Sequence, residues 1–182
     1  MKFYVFLADG FETVEALGAV DILRRGKVEV CTVSVNSTRE VVSSHNIPVV
    51  ADIIFDDGDF SDGDGLLIPG GLKGVENLEA HEGLAGVIDE YAAKDKYVTA
   101  ICAGPSILGH HGLLNGKKAT CYPGFEEELT GAVCKGAAFE VDGRFITGKG
   151  MGKTIDFALA ILEELTDAET AGHVAESTMF AD

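Results

Sequence analysis

Short, fully apolar runs alternate along this chain with segments whose apolar residues recur at helical spacing, and few folds accommodate that alternation. Phe3 to Ala8 reads as a buried strand. Ala16, Ala19, Val20 and Leu23 follow at i, i+3, i+4 and i+7, one face of a helix that stops near Gly26. Val28 to Val35 is a second strand, and Ile47 to Ala51 a third, paired as a hairpin with Val41-Val42. Leu66-Leu67-Ile68 is a short strand that ends in Pro69-Gly70-Gly71. Leu84, Val87, Ile88 and Tyr91 give a second helical face, after which Tyr97 to Ile101 is a strand running directly into Cys102. Pro105 to His111 is helical, and Lys117 to Thr147 holds several short strands with a hairpin turn at Asp142-Gly143. Ile155, Ala158, Leu159 and Leu162 form a third helical face, and a last short helix covers Asp167 to Ala175. Strands apolar on both sides need helices on both faces, so the pattern predicts an α/β fold with a doubly wound, mostly parallel sheet.

With 182 residues and no repeat, linker or low-complexity tract, the chain is expected to be one domain spanning 1–182. It carries 14 Lys+Arg against 30 Asp+Glu, a net charge of −16. Such a field repels phosphate backbones and anionic lipid, so neither nucleic acid nor a membrane surface is an expected partner. The opening apolar run is too short to span a bilayer and has no cleavage site after it, so a cytoplasmic location is expected. The cysteines at 31, 102, 121 and 134 form no C-x-x-C and are expected as free thiols.

In doubly wound sheets ligands sit beyond the carboxyl ends of the strands. The loops at Asp9–Val14, Pro69–Gly74 and Cys102–Pro105 qualify and should converge. Cys102 ends a strand and begins a helix, Ala103 and Gly104 keep bulk off the turn, and Pro105 suits the first helical position. This is the geometry of a nucleophile elbow with cysteine in place of serine. A helix N-terminus favours thiolate, so the pKa of Cys102 is expected to fall below the free value of about 8.5. Gly70-Gly71 could donate one backbone N–H to an oxyanion and Ala103 another, although a tight turn alone would also explain the glycine pair. Glu12 and Glu15 sit where the first strand enters its helix, a place that favours acids anyway. One of them, protonated beside the sulfur, could serve as general acid/base.

Three motifs in order, Gly10-Phe11-Glu12-Thr13-Val14-Glu15, Leu67-Ile68-Pro69-Gly70-Gly71 and Ala100-Ile101-Cys102-Ala103-Gly104-Pro105, resemble the ThiJ/PfpI superfamily. The likeness is greatest to its parkinsonism-associated protein deglycase branch and covers nearly the whole chain. The resemblance implies a flavodoxin-like sandwich and a homodimer. It implies Cys102 on the elbow, Glu15 as the protonated acid against its sulfur, and Gly71 and Ala103 as oxyanion donors. It also implies oxidation of the cysteine to sulfinate. The protease branch has His directly after the cysteine, where this chain has Ala103, so protease chemistry is not expected. The deglycase branch has His before a proline downstream of the elbow helix, where this chain has Tyr122 before Pro123. Tyr122 is therefore a candidate substrate-binding residue with a phenol in place of an imidazole.

Other motifs carry less. Gly148 to Thr154 imitates a P-loop but leaves three residues between its glycines where four are needed, and reads as a loop entering a helix with Thr154 as N-cap. The resemblance places that loop near the cysteine site or the dimer contact. The Asp/Gly-rich segment 56–65 lacks the Glu at its twelfth position and the flanking helices of a calcium loop. His110 and His111 are about 100° apart on a helix and cannot face one ligand, and His45, His81 and His173 have no ligand spacing. No metal or cofactor is expected. The expected function is a cofactor-independent cysteine enzyme acting on a small aldehyde or other reactive carbonyl, with Cys102 as nucleophile and Glu15 as general acid/base. The alternatives are a redox sensor or chaperone built on an oxidisable Cys102, and a small-molecule hydrolase or hydratase.

Overall fold

A computed structural model describes residues 1–180; the last two residues of the expected 1–182 domain lie outside the described residues. The first half runs β1 (Lys2–Leu7), α1 (Thr13–Arg25), β2 (Glu29–Ser34), β3 (Glu40–Val42), β4 (Pro48–Val50), β5 (Ile53–Ile54), β6 (Gly65–Ile68), α2 (Leu72–Glu79) and α3 (Glu82–Ala93). The second half runs β7 (Tyr97–Ile101), α4 (Pro105–His110), β8 (Lys118–Ala119), β9 (Val133–Cys134), β10 (Phe139–Asp142), β11 (Phe145–Gly148), α5 (Thr154–Leu165) and α6 (Ala168–Ser177). The main sheet has the order β10-β11-β7-β6-β1-β2-β5, with every neighbour parallel except the β10–β11 hairpin. The doubly wound expectation therefore holds, and the architecture is the flavodoxin-like sandwich.

Strand β1 shows why. Phe3, Val5 and Leu7 belong to a core shared with α1 and α5, while Tyr4, Phe6 and Ala8 belong to a second core shared with α2, α3 and α4. Alternate side chains point to opposite faces of a strand, and here both faces are covered. The Asp/Gly-rich segment works as a strap on the second face. Asp62 takes the Lys2 ammonium at 2.7 Å and the Tyr4 hydroxyl at 2.6 Å, and Tyr91 donates to the carbonyl of Phe60 at 2.6 Å.

One helix was not anticipated, and two local expectations need correction. Helix α2 was not legible, because a segment whose only buried apolar side chains are Val75 and Leu78, behind a glycine pair, gives little apolar periodicity. Thr154 is the first residue of α5 and not its N-cap: a 3-10 turn at Met151–Lys153 precedes it, and its hydroxyl donates back to the Met151 carbonyl at 2.8 Å. The β10–β11 turn is centred on Gly143-Arg144, since Asp142 is still paired with Phe145. The β3–β4 hairpin forms as expected, apart from the main sheet. No helix among the described residues is long and apolar enough to cross a membrane.

Candidate active site

Cys102 is the first residue past β7 and has φ +66°, the left-handed region that a non-glycine residue enters at a cost of about 1–3 kcal/mol. Three backbone bonds hold it there: its N–H donates to Gly148 at 2.9 Å, its carbonyl accepts from Tyr122 at 2.8 Å, and Gly104 N–H returns to Ile101 at 2.9 Å. The elbow turns the thiol off the sheet edge into a cavity of about 360 Å³ whose walls include Glu12, Glu15, His45, Leu72, Tyr122, Phe125 and Met151.

The three expected loops do converge. Glu12 N–H donates to the Gly70 carbonyl at 2.8 Å, and Gly71 takes φ +90° where a Cβ would lie 2.7 Å from the Glu12 nitrogen. Gly70 decides the chemistry by lacking a side chain. A Cβ there would collide with Glu15 Oε2 and stand 2.9 Å from Cys102 Sγ, so the carboxyl and the thiol meet across a space only glycine leaves open. Glu15 is fully buried on the first turn of α1; its Oε2 accepts from Gly70 N–H at 2.9 Å, and its Oε1 has no hydrogen-bond partner. Because Gly70 N–H is spent on Glu15, Gly70 is not an oxyanion donor as expected. The N–H groups of Gly71 and Ala103 are the two that face the sulfur.

Burial raises the Glu15 carboxyl to about 7, against the opposing hydrogen bonds from Cys102 and Gly70. A carboxyl held protonated near neutral pH is what the general acid/base role needs. The thiol corrects the other half of the expectation. Burial, followed by the charge of Glu15, pushes Cys102 up to about 12, although the Ala103 and Gly71 N–H groups pull the other way. The helix-dipole argument loses because α4 has only six residues, while the desolvation and the carboxylate act at contact range. No Lys or Arg among the described residues lines the cavity to offset two anions. The two groups therefore behave as a pair that keeps one proton between them above neutral pH.

Tyr122 stands on the rim, half exposed, with its ring against Gly150. Met151 comes from the glycine loop after β11, which places that loop at the cysteine site. Ser44 and His45 were missed: they sit in the β3–β4 turn, which Gly10 N–H and Ser44 N–H tie to the first loop at 2.7 and 2.8 Å. Ser44 Oγ donates to Glu12 Oε2 at 3.0 Å, and His45 Nδ1 lies 3.8 Å from the same oxygen. Nothing in their spacing marks them; only the return of the hairpin over the sheet edge does. Leu72 and Phe125 carried no signal beyond being apolar. Cys121 is buried and lines no part of the cavity, and Cys31 on β2 and Cys134 on β9 are partly buried away from it.

Relatives share both sequence and geometry. Against the DJ-1 homolog B of Arabidopsis thaliana the chain is 36% identical over 174 residues, 95% of this chain and 40% of that protein. The chain thus spans about two fifths of the length of the Arabidopsis relatives it matches. Against the Parkinson disease protein 7 homolog of Danio rerio it is 31% identical over 98% of this chain and 96% of the other. An isonitrile hydratase of Pseudomonas putida matches 59% of this chain, with 38% identity, and 48% of its own length. Among solved structures, oxidized Toxoplasma gondii DJ-1 superposes with a TM-score of 0.95 at 32% identity, covering 100% of this chain and 99% of that one. The sequence profile of the DJ-1/PfpI family matches residues 1–164, and the chain belongs to that family.

Proposed function

We propose that this chain is a cofactor-independent cysteine enzyme that converts small 2-oxoaldehydes to 2-hydroxy acids. The observation that carries the reading is the contact of an elbow-strained Cys102 with a buried Glu15 of raised pKa, under two backbone N–H donors. Cys102 Sγ adds to the aldehyde carbon as its proton passes to the Glu15 carboxylate. The carbonyl π pair moves to oxygen, where Gly71 and Ala103 N–H stabilise it, and Glu15 returns the proton to give a hemithioacetal. Glu15 then takes the carbon-bound hydrogen as a proton and delivers it to the neighbouring carbon through an enediol, leaving a thioester. Water cleaves the C–S bond, the thiol recovers its proton, and a 2-hydroxy acid leaves. The sum is one water added to one oxoaldehyde, with no outside oxidant. The high thiol pKa fits this order, because the sulfur is activated by its partner when substrate arrives and is not a standing thiolate.

The test is lactate formation from methylglyoxal. Wild type should turn over, and Cys102→Ser should lose at least about a hundredfold in kcat/KM, since a hydroxyl is a much weaker nucleophile at its own pKa. Equal turnover by the two proteins defeats the reading. A hydratase reading draws on the partial match to the isonitrile hydratase and uses the same sulfur and acid to add water across a small unsaturated carbon. Self-association as a homodimer, expected from the resemblance, belongs to the same proposal.

A further inference from the structure

The cavity over Cys102 is polar in two places, and they differ in kind. At its floor are donors, the Gly71 and Ala103 N–H groups facing the sulfur. Its wall carries two carboxylates, with the imidazole of His45 and the phenol of Tyr122 toward the rim. Glu15 is fully buried there with Oε1 unpartnered, and Glu12, whose side chain is 17% exposed, holds its Oε2 on Ser44 Oγ at 3.0 Å. The nearest lysines along the chain are engaged elsewhere. Lys73 pairs with Glu76 at 3.1 Å and Lys153 with Asp156 at 3.5 Å, and neither lines the cavity.

From this arrangement we propose that Glu12 sets the charge preference of the site. The cavity takes carbonyl compounds whose substituent is neutral or cationic and carries an N–H or O–H donor, and it turns away carboxylates and phosphates. The polarity gradient supplies the orientation: carbonyl oxygen to the floor donors, donor-bearing tail toward Glu12. An anionic tail in the same pose meets Glu12, beside which the cavity wall offers the exposed imidazole of His45 and no Lys or Arg. One charge about 6 Å away, screened by the solvent of a partly open site, separates the rates of a cation and an anion by on the order of tenfold. The inference rests on Cys102 being the reacting group, as proposed above.

The experiment reads Cys102 directly, without turnover. Methanethiosulfonates transfer an alkylthio group to a thiolate and release methanesulfinate. The trimethylammonioethyl reagent is a cation and the sulfonatoethyl reagent an anion of similar size. Second-order rates at Cys102, located by peptide mass, should favour the cation by about thirtyfold or more in wild type. Glu12→Gln should cut that ratio by about tenfold, and Glu169→Gln, on α6, should leave it unchanged. An unchanged ratio in Glu12→Gln overturns the proposal. So does an equal fall in Glu169→Gln, which would assign the preference to the overall charge of −16. A comparison needing no variant guards against misfolding: within wild type, the ratio at Cys102 should exceed that at partly exposed Cys134, and equal ratios refute the filter. Failure of methylglyoxal turnover with the ratios intact would refute the carbonyl reaction and leave the charge preference standing.

Discussion

Replacing Glu15 with Gln keeps the side-chain volume and an acceptor for Gly70 N–H, and removes only the ionisable proton. Burial lifts this carboxyl from the ordinary 4.5 to about 7. A raised acid binds more protons in the folded state than in the unfolded chain, so its contribution falls as pH rises between those two values. Each pKa unit is worth about 1.4 kcal/mol. The wild type should therefore lose about 3 kcal/mol of stability, relative to Glu15→Gln, on going from about pH 4 to about pH 8. Most of the loss should fall between about pH 5 and pH 7. Urea unfolding followed by far-ultraviolet circular dichroism, in pH steps on both proteins, gives the difference curve. Every other titrating group except Cys102 keeps the same surroundings in the two proteins and cancels. The same pair should show the Cys102 pKa falling in the variant, because the charge of Glu15 is one of the causes that hold it near 12. A flat stability difference across the range would mean that Glu15 ionises like a solvated carboxyl, and the proton-sharing account of the site would be wrong.

Gly70→Ala should remove the site while sparing the fold: the added methyl must push Glu15 and Cys102 apart, costing about 1–3 kcal/mol of stability. Iodoacetamide labelling of Cys102 and methylglyoxal turnover should both change, and a variant that matches wild type in both would show that the glycine gap is not needed. His110, held by Glu79 and Glu128, has its pKa raised by those two carboxylates, the Glu79 contact first. Its contribution should be complete below about pH 6.5 and lost as pH rises through the folded value. The Tm advantage of wild type over His110→Gln should accordingly shrink from pH 6 to pH 9, and a constant difference would count against the clamp.

The sequence by itself determined the layers, because strands such as Phe3–Ala8 and Tyr97–Ile101 are apolar on both sides and can only be buried between helices. It also marked Cys102, since a cysteine between an apolar strand and Gly-Pro has little other reason to stand at a sheet edge, and it marked the Glu15 and Gly71 loops through the family motifs. What it could not determine were quantities that depend on distance. The thiol pKa was expected to fall because a helix begins beside it; burial and the contact with Glu15 reverse the sign. The Gly70-Gly71 pair was expected to offer one N–H to an oxyanion, and the bond from Gly70 N–H to Glu15 leaves that role to Gly71. Ser44 and His45 joined the rim only when the β3–β4 hairpin folded back over the first loop. Periodicity records which face a residue shows to its own element. Desolvation and Coulomb interaction depend on what other elements bring to within a few ångströms, and that is settled only in the folded chain.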